Sequence, residues 1–211
     1  SFNNFSLHNI FKKEAWDPLP SGDGQKLSLR VQSNGRAFRS YNLSFTEPWL
    51  GGKKRNSLTV SLTNTKYANA YDPATGTYTS SAADNSYAMI TGVGVSLGKQ
   101  LKWPDDFFSL VYTLNYTHYR LNNFANILPN TSNGSSSNIS FKMSLQRSSV
   151  DQPIFPRSGS NFLLSMQLTP PYSLFRKNVD YSNPAEQYKM VEFHKWRFTG
   201  EWYVPLTKGT R

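Results

Sequence analysis

The stretch Phe108-Ser109-Leu110-Val111-Tyr112-Thr113-Leu114-Asn115-Tyr116-Thr117 decides the fold. Its even positions are aromatic or aliphatic, and its odd positions, Val111 apart, are hydroxyl or amide side chains. Successive side chains on a strand point to opposite faces, so this segment has one greasy face and one wet face. The same alternation sets Leu58, Val60 and Leu62 against Ser57, Thr59, Ser61 and Thr63. It also sets Ile139, Phe141, Met143 and Leu145 against Ser140, Lys142, Ser144 and Gln146. Strands of about ten residues, apolar outward and polar inward, are what a transmembrane β-barrel requires. The expectation is an all-β chain, an antiparallel transmembrane β-barrel in part.

Strand signals fall near Phe2–Phe11, Gln25–Ser33, Phe38–Pro48, Ser57–Tyr67, Tyr87–Gln100, Phe107–Tyr119, Asn138–Val150, Ser160–Thr169 and Tyr188–Pro205. That is about nine strands joined as hairpins. Asn34-Gly35 reads as a two-residue hairpin turn, where positive φ is required. From Pro48 onward, compact connections (Pro48 to Asn56, Gln100 to Asp106, Asp151 to Gly159) alternate with longer ones (Ala68 to Ser86, Leu121 to Ser137, Pro170 to Gln187). Outer-membrane barrels have short periplasmic turns and longer outside loops, which assigns the two rims. Trp16, Trp49, Trp103 and Tyr203 fall near the short-turn ends, and Tyr67, Tyr87, Tyr119 and Tyr188 near the long-loop ends. Amphipathic rings settle at the membrane–water boundary, so these are the expected interface aromatics.

Composition agrees. The mean hydropathy of −0.56 is low, but a barrel hides its polarity in lumen and loops. No run approaches the roughly twenty apolar residues of a membrane helix. Cysteine is absent, which removes disulfides and thiolate metal sites. The formal net charge of +10 comes with no nucleic-acid reader motif, so no nucleic-acid partner is expected. Instead, Lys26, Arg30, Lys142, Arg147, Arg197 and Glu201 are expected to line the lumen. His8, His118 and His194 lie on separate strands with no ligand spacing, and no Gly-x-Ser-x-Gly elbow is present. Neither catalysis, metal nor cofactor is expected. Glu47 is expected to pair with Lys53, Lys54 or Arg55 across its turn, and Asp151 with Arg157 across another.

Two segments exceed generic barrel sequence. Ser44-Phe45-Thr46-Glu47-Pro48-Trp49-Leu50-Gly51-Gly52 ends a strand in a tight turn, where Pro48 removes a ladder donor. Asp151-Gln152-Pro153-Ile154-Phe155-Pro156-Arg157-Ser158-Gly159 is a Pro-rich turn opening into another alternating strand. Together with the Trp103-Pro104-Asp105-Asp106-Phe107-Phe108 turn and the closing Trp202-Tyr203-Val204-Pro205-Leu206, they resemble in order and spacing the BamA family of outer-membrane barrel-assembly subunits. Glu47, Pro48, Trp49, Asp151, Pro156 and Gly159 are the positions that match the family's motifs.

The resemblance implies that residues 1–211 form part of a single barrel domain, about strands two to ten of a sixteen-stranded barrel. The family's Val-Arg-Gly-Phe signature and its periplasmic domains would lie outside this chain. It further implies an insertase of the bacterial outer membrane, not an enzyme, which offers a strand edge to incoming barrels by β-augmentation. The implied partners are outer-membrane lipids, unfolded outer-membrane clients, and the periplasmic or surface lipoproteins of an assembly complex. Two other classes fit the residues: a porin or two-partner secretion transporter, and a soluble β-sandwich adhesin.

Overall fold

The computed structural model describes residues 1–16, 18–52, 56–72, 74–124, 132–175 and 189–205. Nine strands form one continuous antiparallel sheet: β1 (Phe2–Phe5), β2 (Gln25–Asn34), β3 (Phe38–Glu47), β4 (Asn56–Ala68), β7 (Tyr87–Gln100), β8 (Phe108–Asn122), β9 (Gly134–Ser148), β10 (Gly159–Leu168) and β11 (His194–Tyr203). Within the β4–β7 connection, β5 (Tyr71–Asp72) pairs with β6 (Thr77–Tyr78) beside helix α1 (Ser80–Asn85). A single turn, α2 (Tyr172–Phe175), follows β10.

The ladders carry the alternation from strand to strand. Leu27, Phe45, Val60, Val95, Leu114, Phe141 and Leu168 stand in one row of cross-strand partners. Lys26, Thr46, Thr59, Ser96, Thr113, Lys142, Gln167 and Lys195 stand in the adjacent row. Because a slip of one residue would turn every side chain to the wrong face, agreement over so many rows fixes the register. Hydroxyls cross-link the polar face: Thr46 to Thr59 at 3.0 Å, Ser40 to Thr65 at 2.9 Å and Ser96 to Thr113 at 3.1 Å.

The apolar face is uncovered. Leu29 is 66% exposed and Leu114 54%, while the buried apolar side chains among those described are Phe5, Pro20, Ala68, Ala70, Ala83, Ala88 and Leu121. No second sheet packs against Leu58, Val60, Phe108 or Leu110 among the described residues. A β-sandwich needs two facing layers about 10 Å apart, so the adhesin class is overturned.

Most strand ends lie within three residues of expectation, and three ends and one turn differ by more. β1 ends at Phe5, not Phe11, because the chain folds back there: Ser6 N donates to Pro20 O at 2.9 Å and Asn9 N to Ser6 Oγ at 3.0 Å. Asn34 pairs with Phe38, which leaves a three-residue connection with only Gly35 among the three at positive φ, not a two-residue turn. β9 begins at Gly134, earlier than expected, since Ser135, Ser136 and Ser137 are held as ladder partners of Arg120, Tyr119 and His118. β11 begins at His194; Tyr188 lies outside the described residues.

Candidate functional site

The sheet's two surfaces and its short-turn rim hold the candidate site residues. Glu47 and Gln25 share the apolar register at the ends of β3 and β2. Glu47 Oε2 accepts from Gln25 Nε2 at 2.7 Å, and Gln25 Oε1 accepts from Leu7 N at 2.9 Å. Glu47 Oε1 accepts from Trp49 N at 3.1 Å, and Trp49 O accepts from Gly52 N at 2.9 Å. Glu47 is thus a backbone clamp through the Pro48 turn. Its expected partners Lys53, Lys54 and Arg55 lie outside the described residues. Gln25 was missed because nothing in the sequence marks a glutamine at a strand start as the bridge between two turns.

In the β9–β10 turn, Asp151 Oδ1 accepts from Gln152 N at 3.0 Å, Arg157 N at 3.0 Å and Ser158 N at 3.2 Å. The amides of Ser158 and Arg157 hold its carboxyl below the usual carboxylate range. The expected Asp151–Arg157 contact therefore exists, but through the backbone amide rather than the guanidinium. Pro156 stands inside this loop, where a missing amide costs no bond. Gly159 leaves it at φ +105, with Ser149 O directly where a Cβ would stand.

Of the six charges expected in the lumen, Lys26, Arg30, Lys142, Arg197 and Glu201 fall in the polar register. Lys142, Arg197 and the unforeseen Lys195 meet around Ser165 and Gln167 at a cavity of about 70 Å³. Lys26 and Arg30 are far across the sheet on β2. Glu201 accepts from Asn161 Nδ2 at 3.4 Å and from the Tyr203 hydroxyl at 3.0 Å.

Arg147 is a correction. It pairs with Phe108 and Phe162 and shares their apolar register. A lone charge there would be costly, and the structure answers it fully. Arg147 Nε donates to Asp105 Oδ2 at 3.0 Å, Nη2 lies 3.0 Å from the same oxygen as an ion pair, and Nη1 donates to Ser149 Oγ and Ser160 Oγ at 2.9 Å. The rings of Phe107 and Phe108 lie 5.6 and 5.9 Å from its Cζ, within cation–π range. Asp105 comes from the neighbouring turn, so only the fold brings the pair together.

The interface aromatics divide. Trp49 is 55% and Trp103 83% exposed at the short-turn rim, and Trp16 is about half exposed with its Nε1 donating to Ile10 O at 3.2 Å. Tyr203 is a second correction: it takes the polar register with Glu201, and Trp202, 77% exposed, takes the apolar one. The alternation along β11 places them on opposite faces.

A family model described as the Omp85 superfamily domain matches residues 21–211. The chain belongs to the Omp85 superfamily. The resemblance read from the motifs is thereby borne out at the level of the superfamily, and the nine-stranded sheet is a section of an outer-membrane β-barrel. Among solved structures, BamA from Haemophilus ducreyi lacking POTRA domains 1-3 is similar over 72% of this chain at 24% identity, with a TM-score of 0.49. The chain spans 29% of that structure's length. Comparison with curated proteins gives no match. In an Omp85 barrel the uncovered apolar register faces hydrocarbon and the polar register faces the lumen.

Proposed function

We propose that this chain is a wall section of a BamA-like insertase, which folds β-barrel clients into the outer membrane of a Gram-negative bacterium as the central subunit of an assembly complex. It performs no covalent chemistry on its clients. The observation that carries this reading is the uneven height of the apolar band. On β8 the outward register is apolar through Phe108, Leu110, Tyr112, Leu114 and Tyr116. On β3 it is apolar only through Tyr41, Leu43 and Phe45, bounded by Arg39 and Glu47, and on β4 only through Leu58, Val60 and Leu62. At about 3.3 Å per residue, that is roughly 26 Å along β8 but only about 13 Å along β3 and β4.

A tilted strand projects still less onto the membrane normal, against an apolar band of about 25 Å in ordinary outer-membrane barrels. Lipid beside β3 and β4 must thin or disorder to match, which lowers the barrier for a new strand to enter nearby. Asn64 and Thr91, hydrogen-bonded at 3.0 Å, close the band on β4 and β7. The full-length protein reconstituted in liposomes is expected to accelerate insertion of an unfolded barrel client. Asn64→Leu with Thr91→Val, which raises the band by one row, is expected to remove much of that acceleration. Steady conductance with no effect on client folding would instead assign the chain to a transporter.

A further inference from the structure

On the hydrocarbon-facing surface of β2, β3, β4 and β7, the side chains of Leu29, Tyr41, Leu43, Leu62 and Val93 bound a groove of about 280 Å³. Every one of them is in the outward register and at least 39% exposed. The next row toward the long loops is Val31, Tyr41, Asn64, Thr91 and His118, four of the five carrying hydrogen-bonding groups. The row beyond that is Ser33, Arg39, Lys66, Met89 and Arg120. Arg39 and Arg120 are exposed, and no hydrogen bond or ion pair reaches either side chain among the described residues. Lys66 is half-committed: its Nζ lies 3.0 Å from Asp84 Oδ1 and 4.8 Å from the centre of the Tyr87 ring.

Apolar, hydrogen-bonding and cationic rows in that order repeat the polarity of one lipid molecule from chain to headgroup. We infer that this surface is a seat for a phosphate-bearing lipid of the long-loop leaflet, one acyl chain in the groove and its phosphate on Arg39, with Arg120 and Lys66 beside it. No carboxylate stands in this row among the described residues, and Asp84, on α1, reaches Lys66 from outside it. Lysine and arginine near an anionic surface each contribute about 1 kcal/mol, or about five-fold in affinity. Arg39 stands two residues past Tyr41 on β3, about 7 Å along the strand, which suits the distance from the top of an acyl chain to its phosphate.

This inference rests on the membrane-facing reading of the apolar register, but not on the insertase activity, and its test separates the three. The full-length protein in mild detergent is titrated with phosphatidylglycerol, phosphatidylcholine and inorganic phosphate, with bound molecules counted by native mass spectrometry. Phosphatidylglycerol is expected to bind first, and Arg39→Gln to weaken it about five-fold while phosphatidylcholine, whose own choline offsets the charge of its phosphate, is weakened less. Arg39→Lys, which keeps the charge, is expected to retain most of the preference and guards against a folding defect. Leu43→Asn is expected to weaken both lipids. Equal binding of the two lipids to the wild type, or no effect of Arg39→Gln, overturns the seat and leaves the barrel reading intact. Complete competition by inorganic phosphate also overturns it, because the site would then be a free-anion site. Client insertion is read in a separate assay, so failure of the insertase proposal would appear there and not in the count of bound lipids.

Discussion

Gly159→Ala tests the turn that carries the Asp151 motif. At φ +105 an L side chain is strained, at about 1 to 3 kcal/mol. The added Cβ would also overlap Ser149 O and lie 2.8 Å from both the Ser149 carbonyl carbon and Val150 Cα. These are backbone atoms, so the turn must open rather than a side chain rotate. Opening it endangers the bonds from Ser149 N to Ser160 O at 2.8 Å and from Asp151 N to Ser158 O at 3.1 Å, each worth about 1 kcal/mol net. Less conformational freedom in the unfolded alanine chain returns about 0.4 to 1 kcal/mol. The expected loss is roughly 3 kcal/mol.

Two alanine controls calibrate that number. Gly76, at φ +66 with nothing within 4 Å of a built Cβ, carries only the left-handed penalty of about 1 to 2 kcal/mol. Gly94 would meet Asn115 Oδ1 at 2.7 Å and Ser61 Oγ at 2.8 Å, side-chain ends able to rotate away at lower cost. Urea unfolding of the full-length barrel in detergent, read by the heat-modifiable gel shift, ranks the three. A Gly159→Ala loss no greater than that of Gly76→Ala would refute the clash argument.

Asp151→Asn is expected to destabilise the barrel at pH 7, with the difference from the wild type shrinking as pH falls below the ordinary carboxylate range. The folded carboxyl titrates below its ordinary value, so its contribution is complete above that value and is lost as pH falls through the folded one; equal stability at pH 7 would contradict this. For Arg147 and Asp105, each about a third exposed or less, a double-mutant cycle with Arg147→Met and Asp105→Asn is expected to give a coupling of about 1 kcal/mol, measured by the same unfolding assay. Val60→Arg should cost about 2 to 4 kcal/mol in bilayer and Ser28→Arg, in the polar register of β2, little; comparable losses would overturn the assignment of faces.

Much of the wall was legible because strand alternation is a property of the backbone itself, needing no partner to appear. Tyr87–Gln100 was read with the bounds the structure shows, and Lys26, Arg30, Lys142, Arg197 and Glu201 fell in the register expected of them. Counting by twos from Ile139 also reaches Arg147, so its place among apolar neighbours was present in the sequence; its pairing with Asp105 was not, because the two are 42 residues apart and meet only where two turns adjoin. The bridge from Leu7 through Gln25 to Glu47 is likewise a product of neighbouring strand ends. Alternation along one strand thus determined which face each side chain takes and that one face meets hydrocarbon. Which strands lie side by side, how high the apolar band rises on each, and which rim groups share a proton or a charge were decided by the ladder register, since hydrogen bonds between strands, not order along them, set those distances.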